Sequence, residues 1–131
     1  MKKSIIYLSF IFLFLSCSSD DGGGSQGNDT NQSLIYGWWY RNPANTHNYK
    51  AYYFGEDNTF IQDMTNFMAG YGEGIWSWEE EAKIKMEPTS NIAGGTQYID
   101  ILKLTQDSLV GRHDLTGVII RYSRTNHEAA D

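Results

Sequence analysis

The chain of 131 residues has little positive charge and almost no cysteine. It contains 10 lysines and arginines against 16 aspartates and glutamates, and a single cysteine, Cys17. A nucleic-acid-binding protein needs a basic face, so the acidic composition argues against that class. It also argues against a protein that lies flat on anionic lipid. One thiol forms no disulfide within the chain.

The sequence also lacks an apolar run long enough to span a membrane. The apolar stretch at residues 4–15 is shorter than the roughly 20 residues that a transmembrane helix requires. Lys2 and Lys3 precede it, and this combination is typical of a signal peptide, which the mature protein loses. Removing both lysines leaves eight basic against 16 acidic residues, a net charge of −8.

The predicted signal peptide, residues 1–16, ends in Phe14-Leu15-Ser16 before Cys17 instead of in an Ala-x-Ala-like site. This ending resembles the lipobox of bacterial lipoproteins. The resemblance implies cleavage just before Cys17 and acylation of that cysteine on its sulfur and its new amino group. Two or more acyl chains anchor a protein stably in a bilayer. An ordinary signal peptide with a chance cysteine is the alternative.

Residues 17–32 are predicted to be the lipidated cysteine followed by a flexible linker. From Ser18 to Gln32 there is no apolar residue, so the segment cannot bury enough surface to offset its ordering entropy. About 15 such residues reach roughly 20 Å, enough to lift a domain clear of the head groups. Ser18-Ser19-Asp20-Asp21 resembles an acidic export signal of Gram-negative lipoproteins. We therefore expect an outer-membrane anchor that faces either the periplasm or the cell surface.

Residues 33–124 are rich in aromatic and β-branched residues and predict one all-β domain, followed by a short tail at residues 125–131. No window has the apolar spacing of an amphipathic helix. Eight short runs favour strands, and turn signals separate them. The runs are residues 34–40, 49–54, 59–64, 74–80, 83–87, 97–104, 108–112 and 118–124. Eight strands joined mainly by short connections predict an antiparallel up-and-down β-barrel.

Alternation along each strand predicts which side chains face the interior. The predicted inward set is Tyr52, Phe54, Phe60, Met64, Trp76, Trp78, Ile84, Met86, Ile120 and Tyr122. The intervening positions are mainly polar, as at Lys83, Lys85 and Glu87. Trp38-Trp39 breaks the alternation, so one of these two indoles must point outward or lie at a rim.

Five segments, taken in order, resemble the lipocalin-like domain of small bacterial lipoproteins. They are Gly37-x-Trp39, Tyr52-x-Phe54-x-x-Asp57-x-Thr59-Phe60, Gly74-x-Trp76-x-Trp78, Ile101-x-x-Leu104-x-x-Asp107-Ser108-Leu109-Val110 and Ile120-x-Tyr122-x-Arg124. The resemblance covers nearly all of residues 34–124. It implies a small barrel with an apolar cavity, and it brings no catalytic residues. Asn58 departs from the glycine frequent in that family but still suits a turn with positive φ.

No residue pattern points to catalysis or to a metal. Glu79 and Glu80 are adjacent in a strand and so point to opposite faces, which argues against a glycosidase pair. The three histidines match no zinc spacing. Asp107, Ser108 and His113 lack the sequence context of a nucleophile elbow. We therefore expect no enzyme, no metal and no cofactor.

Two functions remain open from the sequence. In the first, the barrel binds a small, largely apolar ligand through residues Tyr52, Phe54, Phe60, Phe67, Met68, Trp76, Trp78 and Tyr122. Phe67 and Met68 belong to an apolar loop that forms either a lid or a permanent plug. Of the two tryptophans of one strand, Trp78 is predicted to be packed and Trp76 to line the cavity.

In the second function, the barrel is packed and presents its outer surface to an envelope protein or glycan. An eight-stranded barrel is only just wide enough for its own side chains or for one small ligand. An outer patch of aromatic residues is predicted as the binding surface of such a module. Its candidate members are Tyr36, Trp38, Tyr40, Tyr49 and Tyr53.

Overall fold

The computed structural model describes residues 31–68, 70–92 and 94–128, so Cys17 and the predicted signal peptide lie outside the described residues. The chain forms a closed barrel of eight antiparallel strands in sequence order, which confirms the predicted fold class. The strands are β1 (Gly37–Arg41), β2 (Ala51–Phe54), β3 (Thr59–Asp63), β4 (Tyr71–Glu80), β5 (Lys83–Ser90), β6 (Gln97–Leu104), β7 (Ser108–His113) and β8 (Ile119–Ser123). Pairing of β8 with β1 closes the sheet and protects both edges. Within the described ranges, no helix is long and apolar enough to cross a membrane.

The first strand begins later than predicted. The chain forms a short 3-10 helix at Gln32–Ile35, and β1 starts at Gly37, where the prediction began the strand at residue 34. Gly37 has a φ of 97°, a conformation that L side chains rarely adopt, so a glycine permits the bend between helix and strand. A β-carbon there would also lie 3.2 Å from the guanidinium of Arg124.

The hairpin of β4 and β5 is longer than predicted at its open end. β4 begins at Tyr71, and β5 continues through Pro88 to Ser90 where the sequence predicted a turn. Pro88 lies opposite Gly74, next to a shift in register between Glu73 and Gly74. Such a bulge tolerates a residue that has no N–H to donate, so the strand continues past the proline.

The interior of the barrel is filled by side chains of the barrel itself. Thirteen buried residues form one cluster: Ile35, Trp39, Tyr52, Phe54, Phe60, Trp76, Ile84, Met86, Ile99, Ile101, Leu109, Ile120 and Tyr122. Inward-facing glycines of β4 make room for large neighbours. A β-carbon at Gly74 would collide with the ring of Phe60, and one at Gly72 would collide with Ile92.

The N-terminal 3-10 helix closes one end of the barrel, which we call the helix end. Ile35 is fully buried there, and its carbonyl accepts a hydrogen bond of 2.7 Å from Trp39 Nε1. The guanidinium of Arg124 lies 3.6 Å from the centre of the Trp39 ring and donates to the carbonyls of Leu34 and Trp38. The loops that follow β1, β3, β5 and β7 lie at the other end, which we call the loop end.

Candidate functional site

Five of the eight predicted ligand-binding residues lie in the packed core. They are Tyr52, Phe54, Phe60, Trp76 and Tyr122. The ring centroids of Phe54 and Trp76 are 5.3 Å apart, and those of Tyr52 and Tyr122 are also 5.3 Å apart. Edge-to-face contacts of this kind are favourable and fill the space between strands. The structure therefore brings the five residues together, as neighbours in contact with one another.

Trp76, which was predicted to line a cavity, is the more deeply buried tryptophan of β4, and Trp78, which was predicted to be the packed one, is only partly buried. Trp76 is 3% exposed, and its Nε1 donates to the carbonyl of Gly55 at 3.1 Å. Trp78 is only half-buried, and its buried Nε1 has no hydrogen-bond partner among the described residues. Trp76 lies deeper because its ring contacts Tyr36 and Phe54 at the helix end. Trp78 lies closer to the turn that ends the strand.

Phe67 and Met68 lie at the loop end and outside the barrel interior. Their side chains are 53% and 52% exposed, so they do not form the permanent plug that was one alternative. The amides of both residues donate to the carbonyl of Met64, which gives the segment a helical turn. The Phe67 ring contacts Tyr49 at 5.7 Å, and Tyr49 contacts the buried Tyr52 at 6.1 Å.

Three of the five predicted surface aromatics form a continuous patch on the outer face of β1 and β2. Trp38 contacts Tyr40 at 6.0 Å, with ring planes only 16° apart, and contacts Tyr53 at 5.3 Å. Trp38 and Tyr53 are paired in register, and the alternation that buries Trp39 turns Trp38 outward. We call Trp38, Tyr40 and Tyr53 the aromatic patch.

The other two predicted members of the patch are elsewhere. The ring of Tyr36 packs edge-on against Trp76 at the helix end. Tyr49 packs between Phe67 and Tyr52 at the loop end. Both precede a strand, so strand alternation does not govern the direction of their side chains. Their positions follow from the path of the chain over each end of the barrel.

An open depression of about 510 Å³ adjoins the aromatic patch. Its lining consists of Tyr36, Gly37, Tyr53, Phe54, Glu56 and Asp57, so Tyr53 belongs to both features. The register places Gly37 opposite Phe54, and the turn after β2 therefore lies beside the start of β1. From the sequence, Glu56 and Asp57 were only residues of the turn between two predicted strands. Their position near Tyr36 could not be predicted, because it depends on the pairing of β1 with β2.

The two carboxylates give the depression a polar side. Asp57 accepts hydrogen bonds from the Thr59 hydroxyl at 2.6 Å and from the Thr59 amide at 3.1 Å. These bonds lower the pKa of Asp57 below its ordinary value, so the group is ionised at neutral pH. The depression thus combines aromatic walls with a fixed negative charge that can accept hydrogen bonds.

The residues considered for catalysis are spread over the barrel. Ser108 and His113 are the first and last residues of β7 and so lie about 17 Å apart along the strand. Glu79 and Glu80 are exposed near the turn between β4 and β5. Within the part of the chain that the structure describes, no group of three histidine, cysteine or carboxylate side chains is placed to hold a metal ion.

Comparison of the chain with protein-family models, with curated proteins and with solved structures found no match.

Proposed function

We propose that the chain is an envelope lipoprotein, anchored in the outer membrane through acylated Cys17, whose barrel binds a glycan on its outer surface. The observation that carries the proposal is the contrast between the two faces of the sheet. The interior is occupied by its own side chains, while three aromatic rings and an adjoining depression remain at the surface. A binding module with a filled interior recognises its partner from outside.

The shape of the aromatic patch favours a saccharide. Trp38 and Tyr40 have nearly parallel rings, and Tyr53 extends the apolar surface across to β2. The C–H face of a pyranose ring packs against such rings, while its hydroxyl groups remain free to form hydrogen bonds. A stable protein interface usually buries about 800 Å² on each partner, which is more than three half-buried rings provide.

The depression supplies the polar contacts that a saccharide needs. A sugar ring stacked on Tyr53 lies beside Glu56 and Asp57, because all three residues line the same depression. Carboxylates accept hydrogen bonds from hydroxyl groups, and charge-assisted bonds of this kind are stronger than neutral ones. Two negative charges disfavour an acidic sugar, so the preferred partner is a neutral oligosaccharide.

The test is a titration with the neutral hexasaccharides maltohexaose and chitohexaose, in which tryptophan fluorescence reports binding. The protein is purified in detergent. We expect a saturable change with at least one of them. Tyr53→Ala should weaken binding at least tenfold, or about 1.4 kcal/mol. Tyr98→Ala is the matched control, because Tyr98 is a half-buried tyrosine on the outer face of β6.

Two results would contradict the proposal. One is the absence of saturable binding of either hexasaccharide at millimolar concentration. The other is an equal loss of affinity in the Tyr53 and Tyr98 variants, because this would indicate a general effect of removing a surface tyrosine.

A second candidate function is the binding of a small apolar ligand inside the barrel. The contact of Phe67 with Tyr49, and of Tyr49 with Tyr52, favours it, since a movement of this exposed segment would open the loop end. This function requires space in the interior. It therefore predicts that truncation of a core tryptophan costs little stability and changes the uptake of an apolar dye such as Nile red.

A further inference from the structure

Arg41 is a buried cation at the loop end of the barrel. It belongs to the inward phase of β1, and its side chain is only 9% exposed. Its Nη1 donates to the carbonyls of Asn45 and Asn48, both at 3.3 Å. Carbonyl groups provide no negative charge, so the guanidinium requires a counterion near it.

The counterion is Glu128, which lies beyond the last strand. One carboxylate oxygen of Glu128 accepts from Arg41 Nη2 at 3.0 Å, and the other lies 3.0 Å from Lys50 Nζ. Hydrogen bonds from Lys50 and Arg41 lower the pKa of Glu128, so its carboxylate is charged at neutral pH. Arg41 and Lys50 together therefore form a site that holds one carboxylate.

Glu128 uses this site incompletely. Because its two oxygens are divided between two cations, it contacts the guanidinium through Nη2 alone. Arg41 Nε is buried and has no hydrogen-bond partner among the described residues. A carboxylate that engaged Nε and Nη2 side by side would form the bidentate pair that arginine favours. Arg41 can therefore donate one more hydrogen bond, from Nε, than Glu128 accepts.

The segment that carries Glu128 has few other ties to the barrel. In the described part of the chain, the remaining hydrogen bonds of residues 125–128 are local, from Ser123 to Thr125 and from Glu128 to Asn126. The Glu128 side chain is 36% exposed, so solvent screens its attraction to the two cations and has access to its carboxylate. An external carboxylate that replaces Glu128 would keep Arg41 paired, so the exchange does not leave the buried charge without a counterion.

We propose that Arg41 and Lys50 bind the carboxylate group of a small external molecule, and that Glu128 is a tethered competitor which this carboxylate displaces. The site lies at the loop end, whereas the depression and its carboxylates lie at the helix end. The proposal is therefore independent of glycan binding, and either can fail without the other.

The experiment is an NMR titration of the protein, purified in detergent, with sodium butyrate, in which the Nε–Hε signal of Arg41 reports the bidentate contact. Glu128→Gln removes the competitor without shortening the chain. We expect this variant to bind butyrate at least tenfold more tightly than the wild type, with a shift of the Arg41 signal. Glu81→Gln is the matched control, because Glu81 lies in the turn between β4 and β5, at the helix end. It should bind like the wild type.

Two further variants test whether Lys50 and the Nε–Hε group of Arg41 bind the carboxylate. Lys50→Gln combined with Glu128→Gln should lose most of the gained affinity, and this surface change leaves the buried arginine in place. Arg41→Lys combined with Glu128→Gln keeps the positive charge but removes the Nε–Hε group, and it should also lose most of the affinity gained in Glu128→Gln. Equal affinity of the wild type and Glu128→Gln, or no shift of the Arg41 signal on binding, would overturn the proposal. Inorganic phosphate is a second probe, and tighter binding of phosphate than of butyrate would refute the assignment to a carboxylate.

Discussion

Replacement of Trp76 by alanine measures directly whether the barrel is filled. Trp76 is 3% exposed, and its ring contacts the rings of Tyr36, Phe54 and Trp78 at 6.0, 5.3 and 6.0 Å. Removing a buried tryptophan side chain from a core costs about 3–5 kcal/mol, because apolar contacts are lost and a cavity remains. The variant also loses the hydrogen bond from Trp76 Nε1 to the Gly55 carbonyl, which contributes about 1 kcal/mol.

The expected loss for Trp76→Ala is therefore at the upper end of this range, about 4–5 kcal/mol. Trp78 is half-buried and its Nε1 has no described partner, so Trp78→Ala should cost about 2 kcal/mol. The assay is equilibrium unfolding in urea, with the free energy taken from the midpoint and the slope. Domains are commonly stable by only about 5–15 kcal/mol, so the alanine variant can fail to fold. In that case Trp76→Phe, which keeps a ring in place, replaces it in the unfolding assay.

The comparison distinguishes the two candidate functions. A loss for Trp76→Ala of less than about 2 kcal/mol, or no larger than the loss for Trp78→Ala, would show that the interior already has space. That result would refute the filled barrel and favour the internal ligand site, above all if the wild type also takes up Nile red. A large loss of stability in Trp76→Ala, together with no uptake of Nile red by the wild type, would favour binding at the outer surface.

Two other predictions concern the anchor and the buried tyrosines. Cys17→Ala should abolish lipidation and release the protein from membranes, and quantitative partition of the variant into detergent phase would contradict the proposed anchor. Burial raises the pKa of Tyr52 and of Tyr122, so the folded state keeps both hydroxyls protonated at a pH where the unfolded chain loses the protons. The contribution of these two tyrosines to stability should therefore be constant below about pH 9 and fall above pH 10 by about 1.4 kcal/mol per pH unit for each tyrosine. Tyr52→Phe should show a smaller loss of stability than the wild type between pH 9 and pH 11, and equal losses would show that Tyr52 is not protected.

The strand pattern of this chain is local, and for that reason the fold class was predictable. Side chains alternate along a strand, so the apolar phase of β4 and β5 identified Trp76, Ile84 and Met86 as interior residues. The same reasoning predicted that the two indoles of Trp38-Trp39 must separate, and the structure buries Trp39 and turns Trp38 outward. Alternation also contained a signal that was missed, because Arg41 shares the phase of Trp39, and Gln62 shares that of Phe60.

The depth of a residue within the barrel depends on contacts between distant segments. Trp76 and Trp78 share a strand and a face, and only the packing of Tyr36 and Phe54 against Trp76 makes the first the deeper of the two. The depression likewise requires the register of β1 with β2, which brings Glu56 and Asp57 beside Tyr36.

The sequence by itself determined the strands and their alternation, because both depend on neighbouring residues. The closed antiparallel barrel was predictable from them because closure is what removes the open edges of an eight-stranded meander. Only the tertiary structure decided how that barrel is filled and where its surface sites lie. The contact between Arg41 and Glu128 joins residues 87 positions apart, and no local pattern encodes it. A buried charge must find an opposite charge wherever the folded chain brings one near. The closure of β8 on β1 places Tyr122 opposite Arg41, and the segment that follows β8 brings Glu128 within reach of the Arg41 guanidinium.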